Sequence, residues 1–287
     1  MSKRKKKSAQ SIEIPKIILF IAKFLSIFSS KLTTLFAAKL FTTPIKHKIP
    51  KREHVMERES IQKIITITEI KKKIVVYEYG KSDKKILLVH GWSGRGTQLV
   101  KIADELVKIG YMTISFDAPA HGKSKGNSSI MIEFIASILE LEKQYGSFEF
   151  AIGHSLGGMS ILNAIKKDLK IKKAVIIGSG DIIQDIIDDF INNLKLKSEY
   201  GIKLRNYFET KFGEKLNDYS AYKAAEKTNI PVLIIHDKDD YDISVKAAYH
   251  IQKHLKKSEI VITEGLGHRK ILGDDRVIKK ILEFIRI

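Results

Sequence analysis

The segment Gly153-His154-Ser155-Leu156-Gly157 constrains this chain most, because it sits between an apolar run at 148–152 and a helix-competent stretch at 158–169. A strand must turn into a helix within a few residues. Glycines two positions either side of Ser155 mark where such a turn has no room for a Cβ, and the turn pushes the serine hydroxyl above the sheet edge. Serine between glycines is also ordinary loop chemistry, so the flanking strand and helix carry the signal rather than the five residues alone.

The rest of the chain repeats this unit. Two β-branched runs at 61–68 and 74–79, separated by charged residues, read as an antiparallel hairpin at a sheet edge. Strand-like runs follow at 86–89, 111–116, 148–152, 174–177, 232–235 and 260–263, alternating with helical periodicity at 98–109, 129–145, from 155 onward and at 274–285. This predicts a mostly parallel, doubly wound α/β sheet with helices on both faces. The alternation stops between 181 and 229, where Ile182, Ile183, Ile186, Ile187 and Phe190, then Tyr200, Leu204, Tyr207 and Phe208, recur at helical spacing. That stretch reads as a helical cap insertion, largely core, with part of it roofing a site. A length of 287 residues suits one such domain at 53–287 behind an N-terminal arm and linker at 1–52.

A serine hydroxyl is a poor nucleophile at neutral pH and needs a histidine base oriented by an acid, in the chain order Ser, Asp, His. Both follow Ser155. His268 ends Glu264-Gly265-Leu266-Gly267-His268 after the run at 260–263, and the glycines predict a flexible loop from which the imidazole swings toward Ser155. The run at 232–235, started by Pro231, empties into His236-Asp237-Lys238-Asp239-Asp240, and carboxylates at the carboxyl end of a buried strand are well placed to meet a histidine. A further strand at 86–89 leads into His90-Gly91-Trp92-Ser93-Gly94. Acyl transfer needs two backbone N–H donors aimed at the developing oxyanion, and Trp92 and Leu156 stand where they would be supplied.

As a set, these residues resemble the α/β-hydrolase fold proteins, the serine esterase and lipase-like members in particular. The resemblance rests on the His90-Gly91-Trp92 loop, the segment Phe116-Asp117-Ala118-Pro119-Ala120-His121-Gly122-Lys123-Ser124, the Ser155 turn, the Asp240 region and Gly267-His268, and it spans about 60–287. Ala120 replaces a usual glycine, Asp237 replaces the glycine of the common G-x-x-D acid motif, and Ser244 stands where proline often follows. Aligning that motif on Asp237 makes Asp240 the acid, with Asp239 and Asp242 as local rivals and Asp181 as a distant one. The resemblance implies Ser155 as nucleophile, His268 as base and Asp240 as its orienting acid, acting on a small-molecule ester or thioester with an apolar group. Dehalogenases and epoxide hydrolases of similar architecture use aspartate at the Ser155 position, which argues against their chemistry. His90, His121, His154 and His236 are expected to pack or to orient loops. A non-catalytic binding module on the same fold is the alternative.

The net charge of +18 lies mainly outside this body. Residues 1–52 hold 13 Lys/Arg and a single acid, Glu13. The arm begins Lys3-Arg4-Lys5-Lys6-Lys7 and continues from 14 to 41 with abundant Ile, Leu and Phe, interrupted by Lys16, Lys23, Lys31 and Lys39. No apolar stretch approaches the roughly 18 residues of a spanning helix. A signal peptide also begins basic then apolar, but Lys23 breaks the apolar region and no A-x-A site follows. The wheel predicts one amphipathic helix, suited either to an anionic membrane surface, with residues 1–48 as the attachment, or to docking on the body or another subunit. The first reading leaves catalysis on soluble substrates to the body. Nucleic acid is not expected as a partner, because the arm's aromatics are phenylalanines among aliphatics rather than rings interleaved with basic residues. Absence of cysteine excludes disulfides and thiolate chemistry and suits the reducing cytoplasm, with the arm at the inner membrane face. Nine dispersed histidines with no H-E-x-x-H pattern predict no metal, and no cofactor is expected.

Overall fold

Residues 14–286 are described by a computed structural model. The basic cluster at 3–7 lies outside them. The β-branched runs form an eight-stranded sheet. Strands β1 (Ile61–Ile67) and β2 (Lys72–Tyr79) make the antiparallel edge hairpin, and β2 pairs antiparallel with β4 (Met112–Asp117). From β4 the sheet is parallel through β3 (Lys85–Val89), β5 (Phe150–His154), β6 (Lys173–Ile177), β7 (Val232–Asp237) and β8 (Ser258–Thr263), in the order β1-β2-β4-β3-β5-β6-β7-β8.

Alternate residues of each parallel strand bury on opposite faces, which is why these strands read as continuous apolar runs. Leu87 and Val89 pack on one face with Phe134 and Ile138 of α5 (Met131–Tyr145) and Ile161 and Leu162 of α6 (Leu156–Lys166). Ile86 and Leu88 pack on the other with Ile102 and Leu106 of α4 (Val100–Lys108) and Ile281 and Phe284 of α12 (Asp275–Arg286). The chain leaves β3 toward β4 on the α4 face and reaches β5 on the α5 face. The resulting switch point opens a crevice at the carboxyl ends of β3 and β5, the usual ligand position in such sheets.

Two helical groups lie outside this sandwich. Between β6 and β7 come α7 (Ile183–Asn193), α8 (Glu199–Phe212) and the short α9 (Ala221–Ala225). The arm forms α1 (Lys16–Phe28) and α2 (Ser30–Thr42), with the short α3 (His54–Glu59) before β1. The remaining helices are α10 (Lys246–His254), between β7 and β8, and the single turn α11 (Gly267–Lys270). The arm is thus not the one helix expected from its periodicity. Ser29 is extended at φ −155° and its hydroxyl accepts from the Leu32 amide at 3.2 Å, capping α2 and ending α1. The buried face is also not the phenylalanine face of α1 expected from the wheel, since Ile18, Leu19, Phe36, Leu40 and Phe41 are the larger apolar residues packed toward α7 and α8. The small residues Ala22, Ala37 and Ala38 are buried against Ile187, Ile191, Leu204 and Phe208 of α7 and α8, while Phe20, Phe24 and Phe28 face outward with the lysines. Small side chains let helices approach closely, so the docked stripe is the alanine stripe.

Candidate active site

Ser155 is where the local sequence leaves the chain no ordinary conformation. It sits at φ 53°, ψ −119° between β5 and α6, a region that costs a non-glycine residue about 1–3 kcal/mol. Its surroundings hold it there. The Ser155 amide donates to Ile177 O at 2.8 Å, and the Gly158 amide donates back to Ser155 O at 3.0 Å. A Cβ at Gly153 would stand 2.6 Å from the Gly157 backbone, and one at Gly157 would stand 2.3 Å from Val89 O, so both glycines are required by close approach.

Trp92, Ser155 and Leu156 line one cavity of about 320 Å³ whose wall is almost wholly apolar, including Met131, Met159, Ile186, Phe190 and Phe208. The amides of Trp92 and Leu156 donate to no acceptor among the described residues, which leaves them available. The Trp92 loop is fixed from behind. His90 Nδ1 donates to Gly91 O at 2.6 Å, and its Nε2 accepts from the Ala118 amide at 3.0 Å. Burial holds His90 well below the usual histidine pKa and brings His121 down to about 4, so both rings are neutral packing pieces at pH 7. Asp117, buried and raised in pKa by that burial, accepts from Tyr77 Oη and from the Gly96 and Lys123 amides, tying the two loops together.

Asp240 is the carboxylate that meets His268. Its Oδ2 lies 2.6 Å from His268 Nδ1, while its Oδ1 accepts from the Asp242 and Ile243 amides at 2.9 and 2.8 Å. The rivals are engaged elsewhere. Asp239 accepts from the Gly265 amide, exposed Asp242 approaches Arg269, and Asp181 pairs with His250. His268 is not on a flexible loop. It is buried within α11, and the turn leading to it is anchored by Asp237, whose Oδ2 accepts from Thr263 Oγ1 at 2.7 Å and the Leu266 amide at 3.1 Å. Burial opposes ionisation of Asp237, but these hydrogen bonds outweigh it and lower its pKa. The residue that departs from the glycine pattern therefore secures the histidine.

His268 lies beside His154, the residue that precedes Ser155. The His154 and His268 rings lie 4.6 Å apart, and His154 Nε2 donates to His268 O at 2.8 Å. Burial, reinforced by His268, holds His154 neutral, well below its ordinary pKa. Gly178, at the end of β6, leaves room for the pair, since a Cβ there would stand 3.3 Å from His268 Nδ1 and 3.5 Å from Asp240 Oδ2.

Strand order, turn and pocket together decide the architecture. This chain has the α/β-hydrolase fold. A sequence model of the α/β hydrolase fold family matches residues 84–210, a segment that includes the Trp92 loop and Ser155 and ends before β7. Among solved structures, the Pyrococcus furiosus esterase Pf2001 is 19% identical at TM-score 0.64, over 85% of this chain and 96% of that one. An esterase from Exiguobacterium antarcticum is 17% identical at TM-score 0.63, over 79% and 100%. A membrane phospholipase A described as a bacterial virulence factor is 15% identical at TM-score 0.61, over 95% and 99%. No curated protein sequence matches significantly.

Two wall residues escape sequence reading. Leu40 and Phe41 of α2 line the same cavity as Ser155, with the Phe41 ring 5.1 Å from that of Phe190 and 5.7 Å from that of Phe208. The arm expected to leave catalysis to the body supplies part of the pocket. Periodicity gives no sign of this, because the contact joins segments about 150 residues apart.

Proposed function

We propose that the chain is a serine hydrolase that cleaves a carboxylic ester or thioester through an acyl-enzyme. The observation that carries this reading is Ser155, held at positive φ at the mouth of an apolar cavity, with the buried His268–Asp240 pair at the neighbouring strand ends. Asp240 accepts a hydrogen bond from the Nδ1–H of His268, which leaves Nε2 as the basic atom. His268 takes the Ser155 proton as Oγ bonds to the acyl carbon, and the Trp92 and Leu156 amides hold the oxyanion. The acyl C–O or C–S bond then breaks and His268 gives its proton to the leaving group. Water, deprotonated by His268, attacks the acyl carbon; the bond from that carbon to Ser155 Oγ breaks, and His268 returns its proton to Oγ.

The cavity wall supports an apolar acyl group and offers almost no partner for a charged one. Attachment to an anionic lipid surface through the arm is part of the same reading, supported by the outward phenylalanines and lysines of α1 and α2. No helix among the described residues is long and apolar enough to cross a membrane.

The expected result for purified protein is turnover of p-nitrophenyl and thioester substrates, with kcat/KM rising from acetyl to medium acyl chains by about tenfold or more as methylenes enter the cavity. A flat, Ser155-independent rate across the series would contradict the assignment.

A further inference from the structure

The arm has two working faces, one carried mainly by α1 and the other by the end of α2. On the outside, Phe20, Phe24, Ile27 and Phe28 are 51–71% exposed, and Lys16, Lys23, Lys31 and Lys39 are exposed beside them. No acidic residue occurs anywhere from 14 to 52. An apolar face bordered only by positive charge matches an anionic bilayer surface, where the rings enter the acyl boundary and the lysines meet headgroups. Each helix has 13 residues, about 20 Å at 1.5 Å per residue, so it lies in the interface rather than crossing a core about 30 Å thick.

On the inside, the last turn of α2 places Leu40 and Phe41 in the cavity over Ser155. The backbone just beyond is tied to the site. Thr42 O accepts from the Ser129 amide at 2.8 Å, and the Ile45 amide donates to Ser93 Oγ at 3.0 Å, one residue from Trp92. Surface-facing residues of α1 and pocket-facing residues of α2 thus belong to one helical pair, whose α2 end is bonded to the loops of the site.

We propose that this helical pair is the acyl-chain end of the site as well as its lipid contact, and that the substrate is a long-chain acyl ester of a membrane lipid. The chain passes from the bilayer surface alongside α2 into the cavity, and Leu40 and Phe41 set the length accepted. This rests on the reading of Ser155 as nucleophile given above.

Full-length protein tests it in two measurements. Sedimentation with vesicles of equimolar phosphatidylglycerol and phosphatidylcholine is expected to exceed that with phosphatidylcholine alone by about tenfold, and Phe24→Ser/Phe28→Ser to remove the excess. Acyl selectivity is read as the kcat/KM ratio for p-nitrophenyl decanoate over acetate, which cancels any loss of folded protein. Leu40→Trp, which fills the cavity, is expected to lower the ratio about tenfold or more, and Phe41→Ala, which enlarges it, to move the optimum about two carbons longer. Misfolding cannot shift selectivity in opposite directions. Wild-type selectivity in both cavity variants, or vesicle binding indifferent to lipid charge and to the phenylalanine pair, would overturn the proposal. Charge-dependent vesicle binding with no ester turnover by wild type would instead reject the hydrolase reading, and the acyl-chain assignment with it.

Discussion

Replacing Ser155 with alanine is expected to lower kcat/KM for any accepted ester by about 10⁶-fold, the scale seen when a triad nucleophile is removed from a serine hydrolase. The loss is large because nothing else in the crevice can take over. His154 is adjacent but buried, neutral and committed to His268 O through Nε2, and no cysteine exists in the chain. A residual rate of about 10³ over water is expected from the Trp92 and Leu156 amides and from binding alone. The fold is expected to be unaffected, since alanine and serine meet the same backbone strain at φ 53°. A Ser155→Ala protein with an unchanged melting temperature and near wild-type turnover would mean that the chemistry lies elsewhere.

Asp240→Asn is expected to cost about 10⁴-fold in kcat, through the tautomer of His268 rather than through packing. With the carboxylate present, His268 Nδ1 carries the proton and Nε2 is free to accept the one from Ser155. An asparagine amide turned to the same position donates to Nδ1, which moves the proton to Nε2 and removes the base. The side chain is isosteric, and its oxygen can still accept from the Asp242 and Ile243 amides that hold the loop. Asp239→Asn and Asp242→Asn are expected to stay within about threefold of wild type, because exposed or loop-bound carboxylates contribute little. An inactive Asp181→Asn beside an active Asp240→Asn would transfer the acid role to the end of β6, where Asp181 faces His250.

These residues are legible in the sequence for a local reason. Each sits where an apolar strand ends, and strand ends are marked by β-branched runs followed by glycine, aspartate or histidine. The Ser155 turn is the clearest case, because the steric demand at Gly153 and Gly157 is written into the residue types themselves. What the sequence hides is of two kinds. One is a weak local signal overruled by another. Ser29-Ser30 is a modest helix breaker inside a strong apolar periodicity, yet a single capping bond from Leu32 suffices to split the arm in two. Likewise the glycines before His268 suggest mobility, while Asp237, distant in sequence, immobilises the turn from the neighbouring strand. The other kind is tertiary. Nothing in residues 14–42 indicates that the alanine stripe would dock on α7 and α8, or that Leu40 and Phe41 would reach the Ser155 cavity.

The central claim, that Ser155 is a nucleophile activated by His268, is tested most directly by reaction with a fluorophosphonate probe, followed by peptide mapping of the adduct. Serine labels in this way only when a base removes its proton. One adduct per chain on Ser155 is expected, absent in Ser155→Ala and slowed by about 10³-fold or more in His268→Ala. Labelling of the His268→Ala protein at the wild-type rate, or an adduct on any other residue, would contradict it.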